Sequence, residues 1–332
     1  MRASTPNWLL PGPIRRLREH LREIRRLAQA ALEQVEDARA EQNAGLAGVE
    51  MRLERLQELA TEQREQHQRL LEALRLSQSR GDEPRRRLPA LRSDPAYERP
   101  YLEPDPLISV LIPTYENHRL LRGRAIPSVL AQTYQSFEIV VVGDAAPDAA
   151  RLAAESFDDP RIRFSNLPYR GPYPEDAQAR WRASGTPAYN EAAQLACGLW
   201  IAPLDDDDAF RPEHLERLLR YARETRLELA YSRLRVHAGA GRRGQSTPGV
   251  PDSEVVGSFP PEHGEFGVQS AIYHHGLKEI FEYELADAVL GLPNDWGLCL
   301  RMMEAGVRIG MLDEETVDYF PSTPREAGRV AP

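Results

Sequence analysis

The sequence predicts an α/β domain built on a mostly parallel sheet flanked by helices, preceded by a long N-terminal α-helical coiled coil. Three observations predict it. No proline lies between Pro13 and Pro84, and a leucine-bearing heptad pattern runs through that stretch. Beyond Leu107, short apolar runs alternate with helical patterns. Those runs end on polar residues, the last on four consecutive carboxylates, Asp205, Asp206, Asp207 and Asp208.

In the N-terminal part, Ile14, Leu17, Leu21, Ile24, Ala28, Ala31, Val35 and Ala38 recur at alternating spacings of three and four, the a/d seam of a coiled coil. A second seam runs through Leu46, Val49, Leu53, Leu56, Ala60, Leu70 and Leu74. The two are offset by the equivalent of a four-residue insertion, with Gly45 and Gly48 at the junction, so a locally unwound supercoil and a break into two helices both fit. A polar helix of this length needs a partner for its stripe. Self-association as a dimer or trimer is the favoured reading; folding back on the second unit, or pairing with another protein, is the rival. The opening Trp8, Leu9 and Leu10, with the arginines from Arg15 to Arg26, also suit peripheral contact with an anionic membrane surface. Glu19 and Glu23 dilute that charge, and the solvated coiled-coil face is preferred. From Ser77 to Pro106 the composition turns to Arg, Pro, Asp and Ser without a period, and this stretch reads as an extended linker.

A chain of 332 residues suits two units. Its net charge of −9 argues against nucleic acid as a partner. Cys197 and Cys299 lack metal-ligand spacing, fit a reducing compartment and are expected to pack. No apolar run approaches a membrane span and no secretory segment follows the N-terminus, so the expected location is cytoplasmic.

In the α/β part, Leu107-Ile-Ser-Val-Leu-Ile112 is a buried strand ending at Pro113, Thr114 and Tyr115. A helical pattern over 119–132 is kinked or restarted at Pro127. Phe137-Glu-Ile-Val-Val-Val142 is a second strand closing on Gly143 and Asp144, and 161–164 a third. Residues 190–197 read as helix, 200–204 as the strand feeding the aspartates, and 210–219 as the next helix. In such sheets ligands gather at the carboxyl ends of the strands, where Tyr115, Asp144 and the aspartate run all fall. Four adjacent negative charges there need a cation, a helix N-terminus or full solvation. A hard divalent cation, Mg²⁺ or Mn²⁺, is the natural partner, held by one or two carboxylates and substrate phosphates. The bland alternative is an acidic N-terminus for the following helix, a purpose Asp208 suits.

Read together, Ile108-Ser-Val-Leu-Ile-Pro-Thr-Tyr115, Ser128-Val-Leu-Ala-Gln-Thr-Tyr134, Phe137-Glu-Ile-Val-Val-Val-Gly-Asp144 and Leu204-Asp-Asp-Asp-Asp208 resemble the GT-A-fold (Rossmann-like) glycosyltransferases of family 2, the inverting, nucleotide-sugar-dependent group. Farther on, the stretch from Pro293 to Gly306 resembles that family's acidic segment and Arg-containing helix. The resemblance spans about residues 107–320. It implies transfer of a sugar from a nucleoside-diphosphate sugar to an acceptor hydroxyl of unknown identity. It places a metal on Asp207, with Asp205 toward the ribose and Asp206 beside it. Pro113, Thr114, Tyr115, Glu116 and Asp144 would hold the nucleotide sugar, and Asp295 would be the general base. The implied organisation is 1–78 for the helical oligomerisation segment, 79–106 for the linker, 107–325 for the GT-A domain and 326–332 for a tail.

The chain departs from the family at two points. Gly143 stands where a second carboxylate is common, and Ala188-Tyr189-Asn190 lacks the usual arginine. The connection over 169–185 is longer than usual and reads as a loop covering the donor or shaping the acceptor site. Two rivals stand beside the transferase. A sugar-phosphate nucleotidyltransferase would carry a Gly-rich loop where Pro113-Thr-Tyr-Glu-Asn117 stands; a degenerate GT-A domain would serve as a scaffold on the coiled coil. Adjacent His274 and His275 point to opposite faces of a strand and are expected to be structural or acceptor-facing. Arg301 is a secondary candidate that pairs with a carboxylate or reaches the diphosphate. Trp181 and Trp296 stack on sugar or pack. Residues 238–251 read as a mobile loop.

Overall fold

The computed structural model describes residues 12–40, 46–237 and 253–321. The chain divides into two compact units, Met1–Ser79 and Arg80–Pro332. The first contributes α1 (Gly12–Ala40) and most of α2 (Leu46–Ser93). The seam junction, the 238–251 loop and the 326–332 tail fall outside the described residues, wholly or in large part. On α1, seam residues Leu17, Ile24 and Ala31 are half-buried and Leu21 and Ala28 exposed.

In the second unit, residues 80–102, expected to be extended, are helical. The last turns of α2 carry Pro84 and Pro89, each lacking a backbone donor. Tertiary contacts offset that loss: Leu88 is fully buried, Arg85 bonds the Glu304 carbonyl and Arg87 the Glu279 carbonyl. A 3₁₀ turn, Pro95–Glu98, capped by Asp94, leads into α3 (Arg99–Leu102), and both Tyr97 and Tyr101 are buried. The proline-rich composition misled because it carries no period, while the segment is held by specific contacts rather than by an apolar stripe.

The α/β body follows the strand–helix alternation. After β1 (Ile108–Thr114) come α4 (His118–Leu120), a π-helical turn and α5 (Ile126–Leu130), with Pro127 in the first turn of α5. Then β2 (Phe137–Gly143), α6 (Asp148–Glu155), β3 (Ile162–Asn166), α7 (Ala177–Ala183), α8 (Thr186–Leu195) and β4 (Trp200–Pro203) lead to the aspartates. Beyond them lie β5 (Ala209–Phe210), α9 (His214–Thr225), β6 (Leu229–Val236), β7 (Glu254–Val256) and β8 (Ala271–His274). The body ends with α10 (Leu285–Val289), α11 (Asn294–Ala305) and β9 (Ile309–Tyr319).

Among the described residues the strands form one sheet in the order β3-β2-β1-β4-β8-β6-β9-β5, with β7 on β6. From β3 to β4 every pairing is parallel, as βαβ alternation requires, and β1 and β2 are buried along their whole length. Beyond β4 the sheet is mixed: β8 is antiparallel to β4 and β6, and β9 parallel to β6. The core splits into two layers. Val110, Ile112, Ile139 and Val141 face one, and Leu111, Val140, Val142 and Ile201 the other, the period-2 alternation of strands covered on both faces.

Candidate active site

The carboxyl ends of β1, β2 and β4 meet at one edge. Thr114 is in register with Gly143, the Asp144 N–H donates to the Thr114 carbonyl at 2.8 Å, and the Leu204 N–H reaches Leu111 O at 2.9 Å. Tyr115, Asp144 and the aspartate run are thereby brought together by register alone.

Each aspartate has a different environment. Asp205 Oδ1 accepts from the Tyr189 hydroxyl at 2.8 Å. Asp206, buried, accepts from the Asn117 amide at 2.9 Å. Asp207 is half-buried, and Arg124 donates to its backbone carbonyl. Asp208 is fully buried; one oxygen accepts the Phe320 N–H at 2.8 Å and the other has no partner. Burial raises all four carboxyls. Asp206 reaches about 6, and Asp207, pushed further by the charges of Asp206 and Asp205, about 7. Phe320 is clamped beside this run, with the Arg124 guanidinium 3.7 Å from its ring centre and the His237 ring stacked at 4.6 Å.

Asp144 is also buried, but it is engaged. Tyr173 donates to Oδ2 at 2.6 Å, Gly171 N–H approaches Oδ1 at 3.4 Å, and Arg170 lies 3.6 Å away. The same Arg170 guanidinium stacks 3.5 Å over the Tyr115 ring. The long connection after β3 therefore covers both residues. Glycine at 143 has a steric cause: a Cβ there would stand 2.3 Å from Asn166 Oδ1, whose amide braces Ala146 through both backbone groups. A second carboxylate has no room.

Asp295 opens α11. It lies in the first turn, after the cap residue Pro293, and its carboxylate accepts the N–H of its neighbour Trp296 at 2.7 Å. Burial, with the charge of Asp205 adding to it, lifts its pKa to about 6. Tyr319, raised first by its own burial, is raised further by Asp208, Asp205, Asp295 and Asp207, so the α11 carboxylate and the aspartate run act on one side chain. Pro113 and Thr114 are buried at the end of β1, and Glu116 is exposed in the turn beyond.

Other candidates resolve to structural roles. Arg301 is buried and bonds both oxygens of Asp287 at 2.8 Å, with Glu284 at 3.5 Å. His274 Nε2 meets the Tyr97 carbonyl at 2.9 Å and its Nδ1 accepts from Gly276 N–H, so both nitrogens are used in the fold. Trp296 is buried near Phe266 and His263. Cys299 packs in the core as expected, whereas Cys197 is exposed, because it lies in the turn before β4. Sequence reasoning missed Asn117, Arg124, Arg170, Tyr173, Tyr189 and Phe320. A signal existed for Tyr189, which stands where an arginine is usual, and for Arg170 and Tyr173, which fall in the long 169–185 connection.

The sequence profile described as "Glycosyl transferase family 2" matches residues 109–175 and 179–275, spanning β1 through β8 and the aspartates. The chain belongs to glycosyltransferase family 2. Among curated family relatives, the succinoglycan biosynthesis protein ExoO of Rhizobium meliloti is 32% identical over 222 residues, 63% of this chain and 59% of that protein. The UDP-Glc:alpha-D-GlcNAc-diphosphoundecaprenol beta-1,3-glucosyltransferase WfgD of Escherichia coli is 33% identical over 34% of this chain and 39% of its own length. The match thus spans less than two thirds of either relative. Among solved structures, S. aureus TarS 1–349 in complex with UDP is 20% identical with a TM-score of 0.47, over 65% of this chain and 60% of that one.

No described helix is long and apolar enough to cross a membrane. Among the described residues no three or more His, Cys, Asp or Glu side chains converge to hold a metal unaided. The donor set still fits a hard cation: half-buried Asp207 is surrounded by like charge, and Asp208 keeps a buried oxygen without a partner. An ion there would complete its shell with phosphate oxygens and water.

Proposed function

We propose that this chain is an inverting glycosyltransferase that moves a sugar from a nucleoside-diphosphate sugar to an acceptor hydroxyl. The convergence of Tyr115, Asp144 and Asp205–Asp208 at one sheet edge, with Asp295 approaching from α11, carries the reading. The nucleoside lies against Tyr115 and Asp144, exchanging contacts with Arg170 and Tyr173. Pro113, Thr114 and Glu116 border it, and Asp205 and Asp206 carry it toward the ribose. A Mn²⁺ or Mg²⁺ ion held by Asp207 would supply Lewis-acid neutralisation of the departing diphosphate. Asp295, ionised above about pH 6, takes the proton of the attacking hydroxyl, and one in-line displacement inverts the anomeric centre. A relative named for UDP-glucose transfer adds support for a uridine nucleotide.

The helix α1 presents exposed Leu21 and Ala28 on its seam, which a second copy of the chain would cover, and we read the N-terminal helices as a homo-oligomerisation device. The cytoplasm, where nucleotide sugars are available, is the expected compartment.

Calorimetric titration of UDP and of GDP, each with Mn²⁺ and then with EDTA, on the wild type and Asp207→Ala, tests the donor site. Binding of one nucleotide that requires both the ion and Asp207 is the expected result. Equal binding with EDTA, or by Asp207→Ala, would remove the metal from the reading. Binding of neither nucleotide would count against the donor site as described.

A further inference from the structure

Tyr283 presents a hydroxyl that the fold leaves without a partner. The residue is 4% exposed, and its oxygen is buried without a hydrogen bond to any protein group. Such a group costs free energy unless something else completes it. Nor is its position loose. Its ring stacks on Tyr189 at 4.7 Å and 14°, and its backbone N–H and C=O are both clamped by the Asn190 amide, at 2.9 and 3.0 Å. Tyr189 in turn bonds Asp205. Besides its own burial and Tyr273, Asp295 and Asp205 act on the Tyr283 phenol, so it lies near both the carboxylate placed as base and the one placed toward the ribose.

We propose that the Tyr283 hydroxyl recognises the transferred sugar, donating a hydrogen bond to one of its ring hydroxyls beside the Tyr189–Asp205 pair. This rests on the donor-site reading above. What spans from the diphosphate to the attacking base is the sugar itself. A rigidly held phenol is the kind of group that selects a hydroxyl by position, since a mismatched sugar leaves it unpaired.

Tyr283→Phe removes the oxygen and keeps the ring stack. Wild type and variant are compared by calorimetry with UDP (or GDP, whichever the wild type binds) and with its glucose, galactose and N-acetylglucosamine conjugates, alongside thermal melting without ligand. The expected pattern is free-nucleotide affinity within twofold of wild type, and affinity for the preferred sugar nucleotide about tenfold weaker. The melting temperature should be unchanged or raised, because the lost hydroxyl had no protein partner. Equal weakening of nucleotide and sugar nucleotide, or no weakening of either, would overturn the proposal. So would a lowered melting temperature, whatever the nucleotide data show. A wild type that binds neither nucleotide indicts the donor site itself, and the melting comparison then still judges the orphan hydroxyl.

Discussion

Two groups of buried carboxylates show what this fold does with negative charge. Glu228, just before β6, is fully buried, and Arg92 bonds it at 2.7 and 2.6 Å, Tyr97 at 2.8 Å, and Arg308 through its backbone N–H at 2.8 Å and its guanidinium at 3.1 Å. Burial pushes its pKa up, yet these partners together draw it below the ordinary value. Asp206 and Asp208 are buried and Asp205 and Asp207 half-buried, but among the described residues no arginine or lysine is ion-paired with their carboxylates, and all four are raised. The first group is satisfied from within and fastens the end of α2 to the body. The second is left for something that arrives. Buried charge alone therefore does not mark a site; buried charge without an internal counter-charge does.

The largest effects should fall where the counter-charge is missing. Asp295→Asn is expected to lower the transfer rate by about 10²–10⁴-fold while nucleotide binding persists, read by product formation against calorimetry. Loss of nucleotide binding in parallel would make Asp295 a binding residue instead. Glu228→Ala should act the other way round. It strands two arginines and a tyrosine and should cost about 3 kcal/mol of stability by denaturant unfolding, with nucleotide affinity of the folded fraction kept. An unchanged unfolding midpoint would break the comparison.

The two also separate by pH. Asp295 is raised to about 6, and a base must be ionised, so kcat/KM should fall tenfold per unit as pH drops below about 6. Glu228 is depressed below 4.5, so its contribution to stability is fully present above 4.5 and is lost only as pH falls below it. Between pH 5 and 7, activity should change steeply while the stability difference between wild type and Glu228→Gln stays flat. A difference that shifts in that window would place the Glu228 titration elsewhere.

How much of this was legible depended on periodicity. The four parallel strands and the aspartate edge were readable because β1, β2 and β4 are short apolar runs ending on polar residues, and register does the rest. The helical continuation through Pro84 and Pro89 was not, since Arg85, Arg87 and Arg92 are held by carbonyls and a carboxylate between 136 and 219 residues away in sequence. The cover on Asp144 was legible as a long connection but not in its contacts, because Arg170 and Tyr173 belong to no pattern and act through the shape of a loop. Composition could locate charge in the chain. It could not say which charges would find partners.

Two tyrosines make the finest test of that distinction. Tyr97 and Tyr189 each donate a 2.8 Å hydrogen bond to a carboxylate, the buried Glu228 and the half-buried Asp205 respectively. Replacing either with Phe removes one oxygen, and each loss should cost about 1 kcal/mol in EDTA. The recovery should differ. Asp205 belongs to the group that a divalent ion would relieve, so Mn²⁺ with nucleotide should restore much of what Tyr189→Phe loses. Glu228 already has its cations, and the added ion has no route to it, so the Tyr97→Phe deficit should persist whatever is added. Melting curves of both variants, with and without Mn²⁺ and nucleotide, read this directly. Equal rescue would mean that the ion stabilises the fold as a whole. No rescue of Tyr189→Phe would mean that Asp205, like Glu228, is settled from within, leaving Asp207 and Asp208 to hold the ion alone.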